Sequence, residues 1–335
     1  MHMADALVSP AVGGVMIALS GAALAYSIVR SKKDDLIDDK KVPLMGVMSA
    51  FIFAAQMINF TIPGTGSSGH IGGGILLAAL LGGYPSFICM TSVLLIQSLF
   101  FADGGILALG CNIWNMGFYT CFLTYPLIFC PILKKKCTPG RITLASVLSV
   151  VVGLQLGAFS VVLETLLSGI TELPFGAFVA LMQPIHLAIG LVEGLVTAAV
   201  LVFVYQARPE LIVCASPTEN NQPRMSFKKI IIILAVVAVV IGGGLSLAAS
   251  ANPDGLEWAM LGVSGQEELG ATGNIYDAAA AAQESTAFMP DYSIKDSDSP
   301  AGTSLAGIVG GAILVVVSGG AAFLISRCKK KRKAA

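Results

Sequence analysis

The chain has 335 residues, of which 55% are hydrophobic and 12% charged, and its 20 basic and 20 acidic residues leave a formal net charge of zero. About a quarter of the residues of an ordinary soluble domain are charged, so this composition excludes a soluble globular protein. It points to an all-α polytopic membrane protein whose general partner is lipid, with no nucleic-acid partner expected.

The chain opens Met1-His2-Met3-Ala4-Asp5. The bulky second residue is expected to block removal of the initiator methionine, which keeps a free amine on Met1. That amine, the His2 backbone nitrogen and the His2 imidazole can close adjacent chelate rings around one ion, an arrangement suited to square-planar Ni(II) or Cu(II). A bland alternative for His2 is an exposed terminal residue.

Apolar runs of the length that crosses hydrocarbon predict spans at 9–29, 43–62, 71–84, 85–101, 106–133, 142–167, 182–205, 229–249 and 305–326, the third of them short. No Lys or Arg precedes the first run and a basic cluster follows it, which reads as a retained helix with its N-terminus outside rather than a signal peptide. Alternating from there, nineteen of the twenty basic residues fall in cytoplasmic loops or the tail, and only Lys295 lies outside. Nine crossings with the C-terminus cytoplasmic satisfy the positive-inside rule.

On the second run, Gln56 and Asn59 share one face and lead into a glycine-rich outside loop, Pro63-Gly64-Thr65-Gly66-Ser67-Ser68-Gly69-His70. The glycines allow the loop to fold back into the bundle over the N-terminal segment. His70 is thus the candidate fourth nitrogen. Buried amides need partners in hydrocarbon, so Gln56, Asn59, Asn112 and Asn115 either orient the metal-binding histidines by hydrogen bonds or serve as ordinary interhelical glue. Glu164 is expected to pair internally. His186, seven residues before Glu193 on one helical face, is expected to make a structural hydrogen bond. The seven cysteines form no CxxC pair and read as small apolar fillers.

Residues 206–228 have linker composition, with Pro209, Pro217, Pro223 and the polar run Glu219 to Gln222. They divide a module at 1–205 from a two-helix module at 229–335. The latter brackets an outside loop, 250–303, with nine acidic residues and one lysine, a negative field where a cation would arrive.

The segments MHMADALVSP, PLMGVMSAFIFAAQMINF, PGTGSSGHIGGG, FFADGGILALGCNIWNMG and HLAIGLVEGLVT resemble the CbiM/NikM family of nickel and cobalt substrate-binding components of energy-coupling-factor transporters. NPDGLEWA and MPDYSIK resemble the small NikN-type component with its PDGLE motif, here fused. The resemblance implies a seven-helix substrate-binding bundle plus a two-helix module in the cell membrane of a prokaryote, with Met1, His2 and His70 holding Ni2+ or Co2+ as transported substrate and no organic cofactor. It implies a separate transmembrane coupling subunit and ATP-binding subunits, since no GxxxxGK[ST] loop is present. It also suggests that small Ala50 and Ala54 let a coupling helix pack closely, and that Asp254 to Glu257 touch the metal-binding module. The Met3-Ala4-Asp5-Ala6 stretch departs from the Pro-Asp-Gly or Glu-Gly turn of many relatives. No enzyme activity is expected, because a membrane metallohydrolase would need a paired base or an HExxH motif that the chain lacks. A metal sensor or scaffold is the alternative of a different class.

Overall fold

The computed structural model describes residues 2–215, 223–295, 299 and 301–333, with side chains described as far as Arg327. The protein is an all-α polytopic membrane protein. Ser9 caps α1 (Pro10–Lys33) by accepting the Val12 N–H, and Pro10 at its first position is pre-set for the helix. The helix α2 (Lys41–Gln56) is buried from Leu44 to Gln56. It is followed by α3 (Gly74–Leu81), α4 (Gly83–Phe101), α5 (Leu109–Lys134, wound with the wider π geometry through Trp114–Phe129), α6 (Pro139–Ser168) and α7 (Phe175–Ala207). After the linker come α8 (Phe227–Gly243), two short helices α9 (Gly255–Ser264) and α10 (Asn274–Thr286), and α11 (Ala301–Lys333).

Six helices, α1, α4, α5, α6, α7 and α11, are long and apolar enough to cross a membrane. The other three expected crossings are shorter. Helices α2 and α8 have 16 and 17 residues, and α3 has eight, or about 12 Å at 1.5 Å per residue. Helix α3 therefore covers only part of the thickness. Its C-terminal carbonyl at Leu81 accepts from Lys41 Nζ at 3.2 Å, at the start of α2, while Gln56 Nε2, at the other end of α2, donates to Gly72 O at 2.9 Å. The non-helical stretch before Gly74 makes up the missing length.

The glycine-rich loop is a small antiparallel hairpin, β1 (Phe60–Ile62) and β2 (Ser67–Gly69), with Thr61 opposite Ser68. It folds inward as expected: Ser67 and Ser68 are fully buried. The Ala50 and Ala54 face of α2 is already covered by the chain's own later helices. An added Cβ at Gly311 on α11 meets the Ala50 Cβ at 3.7 Å, and one at Gly242 on α8 meets the Ala54 Cβ at 3.3 Å. Close backbone approach at small residues thus joins the two parts of this chain. In the linker, Val213 N donates to Ala79 O at 2.9 Å, and Glu219 to Gln222 lie outside the described residues.

Candidate metal centre

The N-terminal segment is clamped just before a single turn of 3-10 helix, Asp5–Leu7. Met3, fully buried, donates its N–H to Asn112 Oδ1 at 2.7 Å and accepts from Asn112 Nδ2 at 3.1 Å and from the Gly105 N–H at 2.9 Å. Asp5 Oδ1 accepts from the Ala108 N–H at 2.9 Å. Gly105 is required by this approach, because a Cβ there collides with the Asp5 backbone and carboxylate. These bonds fix the main chain at Met3. Met1 itself lies outside the described residues.

His2 and His70 meet. Their ring centres are 5.0 Å apart and the rings are stacked. A metal–nitrogen bond of about 2 Å puts an ion about 3 Å from the centre of an imidazole, so two rings can share one ion at centre separations up to about 6 Å. His2 Nδ1 lies 3.2 Å from Asp103 Oδ1, and His2 Nε2 is buried. His70 Nε2 lies 3.9 Å from Asp254 Oδ2, and its Nδ1 is 3.4 Å from Ile71 O. Burial pushes both imidazoles below their ordinary value, His70 well below it, so both are neutral and able to coordinate at pH 7. Among the described residues no three His, Cys, Asp or Glu side chains form a metal cage. The site brings together two imidazoles, with the carboxylates of Asp103 and Asp254 beside them.

Among the described residues none of the four amides bonds a histidine ring: Asn112 and Gln56 hold backbone, and Asn115 holds side chains. Asn112 pins Met3, Gln56 holds Gly72 beyond His70, and Asn115 donates to Glu164 Oε2 at 2.7 Å and to the Met3 sulfur at 3.7 Å. Asn59 accepts the Ser250 N–H at 2.7 Å through its main-chain carbonyl, not through its side chain. Glu193 accepts the Gly73 N–H at 2.8 Å, so it clamps the turn after His70 and does not pair with His186. His186 bonds the Met182 carbonyl through Nδ1 at 2.8 Å, the structural role expected of it. The ring contacts come from Asp103 and Asp254. Both are carboxylates in loop segments, where sequence position gives no hint of what they face.

The region after the linker lies over this site at three places. Ser68 donates from its N–H to Pro253 O and from its Oγ to Asn252 O, each at 2.8 Å, and Trp258 Nε1 donates to Thr65 O at 2.9 Å. Gln283 on α10 donates to Ser98 O at 2.9 Å and Gly104 O at 2.8 Å. Tyr292 donates its hydroxyl to Asp103 Oδ2, accepts from Gln97 Nε2 at 3.1 Å, and packs on Phe53 and Phe101. Burial, reinforced by the Asp103 charge, raises the Tyr292 phenol well above its ordinary value and keeps it a donor. A Cβ at Gly255 meets Ile189 Cδ1 at 2.8 Å and His186 Cε1 at 3.1 Å, so Gly255→Val is expected to lift α9 from its seat. Amide exchange across 254–264 should then accelerate while exchange in α4 stays unchanged.

Between the two parts lies a vestibule of ≈ 650 Å³ that opens onto His2 and His70. Its lining holds the carboxylates of Asp5, Asp103, Asp254, Glu257, Glu267, Glu268, Asp277 and Asp291 and no lysine or arginine. Burial, with the charge of Asp254 beside it, pushes Glu257 up to about 7. Asp296 and Asp298 of the acidic loop lie outside the described residues.

Residues 2–211 match the family described as CbiM, cobalt uptake substrate-specific transmembrane region, and residues 228–327 match the PDGLE domain. A protein of Archaeoglobus fulgidus named as a fused nickel transport protein, NikMN, is 33% identical over 95% of this chain and 96% of its own. One of Lactiplantibacillus plantarum named as a fused nickel transport protein, LarMN, is 30% identical over 66% of this chain and 69% of its own. The crystal structure of a truncated transition metal transporter superposes with a TM-score of 0.54 at 32% identity, covering 62% of this chain and 99% of that one.

Proposed function

This chain belongs to the CbiM family of cobalt-uptake substrate-specific transmembrane proteins and carries a PDGLE domain, and from that premise we propose that it is the substrate-binding membrane subunit of an ATP-driven energy-coupling-factor importer, with Ni2+ favoured over Co2+ as cargo. The family is one of nickel and cobalt transport proteins. The observation that carries the finer reading is the meeting of His2 with His70 beneath an acid-lined vestibule. In this reading the ion is held by the Met1 amine, the His2 backbone nitrogen, and one nitrogen each from the His2 and His70 rings. A chelate ring that includes the His2 backbone nitrogen closes only through Nδ1, which faces Asp103, so capture exchanges that contact for the ion. The four-nitrogen plane favours nickel.

The division proposed is a seven-helix metal-binding module at 1–205, a linker at 206–228 and a two-helix module at 229–335. Basic residues follow α1 and α5 and the acidic vestibule lies at the N-terminal end, which supports an outside N-terminus and a cytoplasmic C-terminus. The ATP chemistry and the coupling helices belong to separate subunits.

Purified protein with its native N-terminus, titrated with Ni(II) and Co(II) and followed by visible absorption and mass spectrometry, tests the site. Binding of neither ion at micromolar concentration would overturn the reading. Uptake in cells, with and without the ATP-binding subunits, separates an importer from a metal sensor or scaffold, because only the importer loses flux with its ATPases. The vestibule carries its own expected result. Neutralising Glu267, Glu268 and Asp277 together should slow uptake several-fold at low ionic strength, with the difference shrinking as salt shortens the screening length to below about 10 Å. An effect of equal size at all salt concentrations would rule out steering by the field.

A further inference from the structure

Glu193 is a buried carboxylate within the membrane-crossing helix α7, and acids at such depth are rare and ordinarily serve a function. Its bond goes to main chain. Oε1 accepts the Gly73 N–H at 2.8 Å, while Gln56 Nε2 on α2 donates to the Gly72 carbonyl at 2.9 Å. The peptide unit joining Gly72 to Gly73 is therefore gripped at both of its polar ends, from two different helices. Gly72 also lies against the Glu193 carboxylate, since a Cβ there would stand 3.3 Å from Oε2. At Gly73 the φ of +80° and the 2.4 Å approach of an added Cβ to Ile52 Cδ1 require glycine. The next residue begins α3, whose dipole is matched at both ends, by Glu193 at its N-terminal side and by Lys41 Nζ on the Leu81 carbonyl.

The other side of His70 is anchored as well. Ser68 is tied to Asn252 and Pro253, which lead into α9, and a capping box of Asp254 and Glu257 fixes the first turn of that helix. Gly69, His70 and Ile71 alone span the distance between the two anchors. A bridge this short, fixed at both ends, sets where the His70 ring stands, which is stacked on His2 with the centres 5.0 Å apart. We propose that Glu193 is a positioning residue for His70: by holding the Gly72–Gly73 peptide it presents the ring to the ion before the ion arrives, which spares the site the cost of ordering it on binding. The inference rests on reading His70 as a metal ligand, and it adds to that reading a residue of α7 that acts through the main chain.

Glu193→Leu is the informative variant, because leucine fills a similar volume and offers the Gly73 N–H no acceptor. Full-length protein carrying it should bind Ni(II) about 10-fold more weakly than the wild type, with a shifted visible band. Glu193→Gln keeps an oxygen for the Gly73 N–H and should recover most of the loss. In the metal-free protein the through-space NMR contact between the His2 and His70 rings should weaken in Glu193→Leu and persist in Glu193→Gln. Should Glu193→Leu not fold, Gly72→Ala, whose Cβ pushes on the carboxylate, should give the same changes in smaller measure. A variant that melts earlier yet binds with wild-type affinity, an unchanged band and an unchanged ring contact makes Glu193 a purely structural residue and overturns the inference. If the wild-type chain itself fails to bind Ni(II), the ligand reading falls, and the metal-free ring contact still decides whether Glu193 places His70.

Discussion

Replacing either His2 or His70 with alanine is expected to lower the Ni(II) affinity of the full-length protein by on the order of 100-fold or more, about 2.7 kcal/mol. Each substitution removes one of the four nitrogens, and no other imidazole, thiol or basic nitrogen among the residues lining the vestibule replaces it. Folding should survive. The hairpin below His70 is held by Ser67, Ser68 and Trp258 through bonds to Thr65, Asn252 and Pro253, and the turn after it by Gln56 and Glu193. The main chain behind His2 is held by Asn112 and Asp5. His186→Ala is the contrast. Its ring is buried, bonds the Met182 carbonyl and supports Gly255, so its loss should lower thermal stability and loosen α9 more than it weakens binding. Equal losses of nickel affinity at all three positions would contradict this assignment of roles.

Adding a single residue before Met1 is expected to abolish tight Ni(II) binding while leaving the fold unchanged. The chain is immobilised at Met3 through both its N–H and its carbonyl, so the register of His2 against His70 cannot slide to accommodate the addition. What changes is chemical. The nitrogen of residue 1 becomes a second amide that, like the His2 nitrogen, coordinates only after losing its proton, so two amide protons must leave in place of one and affinity falls near neutral pH. A melting temperature equal to the wild type together with lost nickel absorption is the expected pair of results. Retained affinity in a chain with an uncleaved N-terminal tag would exclude the amine as a ligand.

Much of the architecture was legible because a membrane constrains composition so strongly. A span must be apolar along its length, and basic residues are excluded from one side, so composition and charge segregation locate helices that burial patterns alone would not. Six of the nine expected spans are helices of full crossing length. The short third span is the informative departure: hydropathy cannot distinguish a helix from an apolar extended stretch, and here Gly72 and Gly73, held by Gln56 and Glu193, replace the missing turns. Ala50 and Ala54 marked a face of close helix packing, and the packing is there, but the helices that fill it are α8 and α11 of the same chain. Small residues specify how near a helix comes, and nothing in their spacing says which helix it is.

The histidines illustrate the same division. His2 was conspicuous because chelation is a local property of the first two residues, and His70 because glycines flank it; their meeting at 5.0 Å follows from a loop folding back that the glycines permit. The carboxylates beside them had no such local signature. Asp254 is set by a capping box that is readable in the letters Asp-Gly-Leu-Glu, yet the sequence states only that a helix begins there. That it begins beside His70 depends on Ser68 pairing with Asn252 and Pro253, and that Asp103 joins His2 to Tyr292 depends on residues 189 positions apart. The sequence by itself determined the membrane class, the six long spans, the likeness to nickel and cobalt transport proteins and which histidines to propose as nitrogen donors, since each is encoded in composition or in neighbouring residues. Only the tertiary structure decided which carboxylates face those nitrogens and that the later helices seat against the earlier ones, because contacts between segments remote in sequence are selected by the packing of the whole chain.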